Sequence, residues 1–410
     1  MRYHPLMLDA DDRLARRNAV VLGLAQAVGG ALTSINVALG GLVGIYLLSE
    51  QSDLATAPVT AMIVGVAAGT IPAAFLLERL GRKLGFMLGA VIAGAGGLIA
   101  FAAIMQGLFL LYCVGTFIGG FAFAFVQQYR FAAAEAASPK FKPRAISYVL
   151  AGGILAGVIG PQAVIATKDF FLPVAYAGAY LAQAGLSLLT LCVLLFYRPS
   201  APQKPSADAP RGRPLLVILR QPRVALAILC AVVSYSIMTL VMTAAPLAMI
   251  ACGFTTAQAA MGIQWHVMSM YAPSFFTGAL IARFGAETIT AIGLILLGLA
   301  GITALLGITL VNFYVALILL GLGWNFGFIG GTTMLTEAQR PEERARTQGA
   351  NEFIMFGVVA VASLSSGILF HYIGWESINW TVFPMLLIPF VLLIAFALVM
   401  RRRVAVNLRA

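Results

Sequence analysis

Charged residues are scarce in this chain. They make up 10% of its 410 residues, against 61% hydrophobic ones, and so small a polar share excludes an ordinary soluble globule. Cysteine is also rare, with four in all, and histidine rarer, with three. Cys230 and Cys252 are predicted at opposite ends of one apolar segment, too far apart to bridge, while Cys113 and Cys192 read as helix- or lipid-facing. No Ser-His-acid set, nucleotide-binding loop or catalytic Cys/His cluster is present, so the sequence does not read as an enzyme. Acidic residues number 15, and none falls in the middle of an apolar segment. Glu135 and Glu352 sit near the segment ends on one side, and Asp169, Glu50, Asp53 and Glu376 near those on the other. A buried site for organic cations or hard divalent ions wants a carboxylate at depth; its absence favours a soft monovalent cation or a neutral organic substrate.

What the chain has instead is apolar length. Stretches of roughly 20 residues, enough to cross a bilayer, fall at 19–48, 57–77, 84–106, 107–128, 146–167 and 172–197. Six more fall at 224–249, 257–281, 288–308, 310–334, 349–373 and 377–400. The expected fold class is an all-α membrane protein of twelve transmembrane helices in two six-helix halves. Orientation follows from the accumulation of Lys and Arg in cytoplasmic loops. With both termini inside, every one of the 26 basic residues except Lys168 lies on the cytoplasmic side. The formal charge of +11 is then a matter of topology; the lipid bilayer is a partner and nucleic acid is not. Residues 1–17 are charged and lack the apolar core of a signal peptide.

The longest hydrophilic connection begins RPSAPQKPSADAPRGRP at Arg198, a linker composition. It divides the chain into an N-terminal half, 1–197, a cytoplasmic linker, 198–222, and a C-terminal half, 223–410. Leu215–Leu219 after it is expected along the membrane surface. A weak repeat relates the halves: Glu78-Arg79-Leu80-Gly81-Arg82-Lys83 after the second span answers to Ala282-Arg283-Phe284-Gly285 after the eighth.

Two pairs of residues carry the most chemistry. Met238 and Met242 lie one helical turn apart in the seventh span, and His266 and Met270 likewise in the eighth. Thioether and imidazole form a soft donor set suited to Cu(I). Counting depth along the helices gives a ladder, with Met242 outermost, Met238 level with His266, and Met270 furthest in. Cys252 and Cys230 are candidate accessory thiols for capture and release. Trp265, Tyr271, Trp324 and Asn325 are candidate cavity-lining residues. Asn351 and Glu352, which open the eleventh span, read as a helix cap, and His371 as interfacial.

The loop Glu78, Arg79, Gly81, Arg82 and Lys83 resembles the conformational signature of the major facilitator superfamily, with Glu78 for the usual Asp and Ala74 for a Gly. Gly157–Pro161 resembles the Gly-Pro motif of its drug-antiporter branch, although small-residue packing around a proline explains it equally well. The Met and His pairs resemble those of CcoA-type copper importers of bacterial inner membranes. That resemblance implies copper as transported substrate with no permanently bound cofactor, uptake for assembly of a haem–copper oxidase, and a cytoplasmic copper acceptor. Gln264–Pro273 and Gly321–Phe326 also resemble that group, but these flanks are shared with facilitators proposed to carry riboflavin. An importer of a neutral aromatic molecule such as riboflavin, stacked by Trp265, Trp324 and Tyr271, is therefore the first alternative. A copper-binding sensor or scaffold that transports nothing is the second.

Overall fold

The computed structural model describes residues 5–48, 53–135, 137–138, 141–199, 213–340 and 343–407. All the regular structure in these residues is helical. In the N-terminal half, α1 (Pro5–Gly29) and α2 (Ala31–Leu48) form the first span and α3 (Ala57–Gln106) follows. Then come α4 (Phe109–Val126), α5 (Tyr129–Glu135), α6 (Lys142–Thr167) and α7 (Ala177–Leu195). The short α8 (Leu215–Leu219) precedes the C-terminal half of α9 (Pro222–Ala251), α10 (Thr256–Tyr271), α11 (Ser274–Phe284), α12 (Ala286–Leu305), α13 (Leu310–Ala338) and α14 (Arg344–Asn407).

Nine helical segments among the described residues are long and apolar enough to cross a membrane. Twelve crossings result because two of the nine, each 50 residues long, contain a break. In α3 the break is Gly81 (φ 77°, ψ 158°), and in α14 it is Gly374 (φ 75°, ψ −177°). Only glycine adopts such backbone readily, so a single residue turns the chain between two spans. The twelfth crossing is α10 with α11, broken at Ala272–Pro273.

Small residues allow the helices of each half to touch. A Cβ on Gly120 would sit 1.9 Å from the Met62 carbonyl oxygen, and one on Gly293 would sit 2.2 Å from the Gly327 nitrogen. Where association is driven by packing rather than by a hydrophobic effect, such backbone-to-backbone contact is the main adhesive.

The loop residues Glu78, Arg79, Gly81, Arg82 and Lys83 tie the N-terminal half to itself. Arg82 pairs with Glu135 at the end of α5. Lys83 donates 2.7 Å to the Leu195 carbonyl, closing the C-terminus of α7. Arg79 lies over the Phe75 ring at 4.4 Å, and Glu78 is exposed. Among the described residues each of these partners lies in the same half, so these contacts do not reach the C-terminal half. On the same face, Arg223 joins Glu287 and Glu337 at 2.9 and 2.7 Å within the C-terminal half.

Candidate functional site: a two-chamber cavity between the halves

On the side away from the linker, here the far face, the halves are joined by hydrogen bonds between neutral groups. Thr56 donates 3.1 Å to the Ser363 carbonyl and Thr60 donates 3.1 Å to Ser363 Oγ. Deeper, Gln162 donates 2.8 Å to Gln264 Oε1. Among the described residues, the hydrogen bonds between the two six-helix halves all lie on this side. Towards the linker face the halves part around a central space.

That space has two chambers. The far chamber, about 840 Å³ to its mouth, is lined mainly by apolar groups, including Val37, Val59, Met62, Met238, Met242 and Val267. The near chamber, about 1260 Å³, lies towards the linker face and holds Arg130, Thr332, Gln348, Asn351 and Glu352. Gln26, Gln127, Tyr235, Met270 and Tyr271 belong to both walls, so the two are continuous.

Helix geometry decides which predicted residues reach the cavity. On α9, Tyr235, Met238, Thr239 and Met242 follow one face and all line it. On α10, the lining residues Val267, Met270 and Tyr271 occupy one arc. His266 lies at its edge, about 40° from Met270, and turns away. Its Nδ1 lies 2.8 Å from the Leu317 carbonyl and donates to it, which leaves Nε2 buried without a protein partner. The structure therefore brings Met238, Met242 and Met270 to the cavity wall, and His266, fully buried, packs behind it against α13. The expected four-donor ladder has three of its members on the wall.

The other candidates divide in the same way. Trp324 and Tyr271 line the cavity. Trp265 lines neither chamber and is 40% exposed on the outer surface. Asn325 is fully buried and structural: its Nδ2 donates to the Met270 carbonyl (2.6 Å) and Ser274 Oγ (2.7 Å), and its Oδ1 accepts from Thr277 (2.7 Å). These bonds secure the break between α10 and α11, where Pro273 contributes no N–H. Cys230 is buried and lines neither chamber, and Cys252 is exposed at the end of α9. A wall position for the accessory thiols is thus not observed.

Several lining residues escaped the sequence reading. Asn351 and Glu352 lie inside α14 and face the near chamber, so they do not cap a helix. Arg130 also lines the near chamber, and the polar run Gln127-Gln128-Tyr129-Arg130 at the end of an apolar span is the sequence signal for it. Tyr235 carried no signal beyond its place on the Met238 face. It meets Trp324 and Phe328 edge-on, at 5.5 and 5.6 Å, while those two rings stack at 5.0 Å and 11°. Tyr271 is seated by α6, where a Cβ on Gly153 would lie 2.8 Å from its ring; one on Gly157 would lie 2.7 Å from Val267. Small-residue packing is thus what the Gly157–Pro161 segment does here.

The Trp324 Nε1 and Asn351 Oδ1 atoms are buried without a protein hydrogen-bond partner, and both residues line the near chamber. With the stacked rings beside them, the near chamber offers an aromatic surface edged by polar side chains such as Gln127, Thr332 and Gln348. Such a set suits an aromatic ligand with polar edges.

Comparison with known proteins agrees with this architecture. The model of the Major Facilitator Superfamily matches residues 21–274 and 265–409. The riboflavin transporter RfnT of Brucella anthropi is 51% identical over 386 residues, covering 93% of this chain and 97% of that one. The uncharacterised MFS-type transporter YdeG of Bacillus subtilis is 28% identical, covering 92% of each chain. Among solved structures, a mutant of the nucleoside transporter NupG superposes with a TM-score of 0.69 at 14% identity, covering 93% of this chain and 99% of the other. The chain belongs to the Major Facilitator Superfamily, and it is a multi-pass membrane transporter and not an enzyme.

Proposed function

We propose that this protein imports riboflavin, with the linker face and both termini in the bacterial cytoplasm and the halves rocking about the central cavity. The observation that carries the reading is 51% identity, over nearly the full length of both chains, to a riboflavin transporter. The chemistry of the cavity supports it. Riboflavin is a flat tricyclic ring with an apolar edge, a polar edge and a neutral polyol chain. The stacked Trp324 and Phe328, with Tyr235 and Tyr271, suit the ring, and Gln26, Gln127, Thr332 and Gln348 offer partners for hydroxyls. Basic residues on the linker face support its cytoplasmic placement. The cavity opening there corresponds to the release state of an importer.

Copper import is the second reading, favoured by the three thioethers on the cavity wall. A Cu(I) site accepts three thioethers, and a cytoplasmic acceptor would then take the ion. Two features weigh against it: His266 turns from the wall, and the relative at 51% identity is a riboflavin transporter. A copper-binding sensor or scaffold gains no support from a family of transporters. The test is uptake by bacteria unable to make riboflavin. Expression of this chain restores growth on low external riboflavin if the proposal is right. Failure to do so at normal membrane levels, together with raised cellular copper, would establish the second reading in its place.

A further inference from the structure

Arg130 and Glu352 are the only charged side chains lining either chamber among the described residues. They come from opposite halves, Arg130 from α5 and Glu352 from α14. Among the described residues neither joins a direct ion pair. The guanidinium is held in place by the Phe131 ring, 4.8 Å from its centre, and its Nε has no hydrogen-bond partner in the protein. The near chamber thus carries one basic and one acidic side chain, from opposite halves, neither engaged in an ion pair among the described residues.

The two charges discriminate between kinds of polar tail. A hydroxyl both donates and accepts, so a polyol can bond to the guanidinium and the carboxylate at once. A phosphate ester only accepts at neutral pH and carries a charge of about −1.5 to −2. Arg130 alone would attract it strongly, through the bidentate geometry that guanidinium and phosphate share. Glu352 on the other half repels it when ionised.

We propose that Glu352 determines specificity: by balancing Arg130 across the near chamber it admits a neutral polyol and rejects the phosphate ester of the same molecule. The inference rests on the riboflavin reading. It assigns to one carboxylate the distinction between riboflavin and riboflavin 5′-phosphate, which share the same ring and therefore the same stacking surface. Consistent with this, the far chamber is without charge and has no means of telling the two apart.

The experiment is titration of purified full-length protein in detergent with each flavin, followed by quenching of flavin fluorescence, for the unaltered chain, Glu352→Gln and Arg130→Gln. The unaltered chain is expected to prefer riboflavin by ~10-fold or more. Glu352→Gln should lower that ratio by ~10-fold, and Arg130→Gln should raise it. The opposite signs separate an electrostatic role from general damage. They also leave one variant informative should the other fail to fold. A ratio unmoved by Glu352→Gln, or moved the same way by both variants, overturns the proposal. If the unaltered chain binds riboflavin and its phosphate equally, the proposal fails while the riboflavin reading stands. If it binds neither, the riboflavin reading falls and this inference with it.

Discussion

At the far face, hydrogen bonds between neutral groups cross from one half to the other: Thr56 and Thr60 to Ser363, and Gln162 to Gln264. At the linker face the strong bonds are ionic and stay within a half, Arg82 with Glu135 in one and Arg223 with Glu287 and Glu337 in the other. Each arrangement suits its task. If the halves rock as proposed, the seal between them forms and breaks through bonds worth about 1 kcal/mol each. The halves themselves are held internally by charge. The same contrast runs through the cavity, whose far chamber is apolar and whose near chamber is polar and charged.

The contrast can be broken from either side. The largest effect is expected at the junction of the chambers, where Tyr235→Ala removes the edge-on partner of both Trp324 and Phe328. Losing the ring contact that Tyr235 would make with the flavin, and its support of the stacked pair, at about 1 kcal/mol each, is expected to weaken riboflavin binding by ~30-fold, read by titration. Next comes the seal. Thr56→Val with Thr60→Val removes the two bonds to Ser363 and should move the balance towards the outward-open form by up to ~30-fold. Distances between spin labels placed on the two halves report that balance. The linker-face control, Arg223→Gln, should lower the melting temperature and leave those distances unchanged, because its bonds do not cross between halves. A shift of the balance as large as that of the threonine variant would end the distinction between the two faces.

A smaller effect concerns acid. Glu343, buried beside the linker, accepts from Arg213 Nε and Nη2 at 2.6 and 2.7 Å and from the Arg340 backbone N–H at 3.1 Å. The Arg213 fork holds its carboxyl down at about 2, from an ordinary value of 4.5. A depressed folded-state value means that the pair stabilises the fold above pH 4.5 and ceases to do so as pH falls towards about 2. Thermal melts should show Glu343→Gln less stable than the unaltered chain at neutral pH, with the gap closing across that acid window. The smallest effect is expected in the far chamber. Leu at Met238, Met242 and Met270 conserves volume and should change riboflavin binding by less than ~3-fold, whereas a copper site would not survive it.

Much of the fold was legible in the sequence because membrane spans announce themselves through length and composition. The two Gly turns were legible as connections, Gly81 inside a recognisable loop motif and Gly374 in the gap between the spans 349–373 and 377–400, although nothing marked either as the single turning residue. The site was read in part. Spacing correctly placed Met238 and Met242 on one face, yet a spacing of four leaves about 40° of rotation unassigned, enough to put Met270 on the cavity wall and His266 behind it. Trp265 and Trp324 looked alike as isolated aromatics, and only packing separates an outward ring from one stacked on Phe328. Asn325 looked like a lining residue because a buried amide in a membrane suggests a ligand; its three bonds hold a helix break instead. Glu352 was assigned to a helix end because no periodicity reveals which half will face it.

Counterflow in proteoliposomes tests the central claim most directly. Vesicles holding the purified chain and loaded with unlabelled riboflavin are placed in a trace of labelled riboflavin, with and without excess Ag⁺ as a soft-metal competitor. The account predicts rapid accumulation of label that Ag⁺ does not block and that empty vesicles do not show. No accumulation of riboflavin, in vesicles of the same protein that do take up copper, would contradict it.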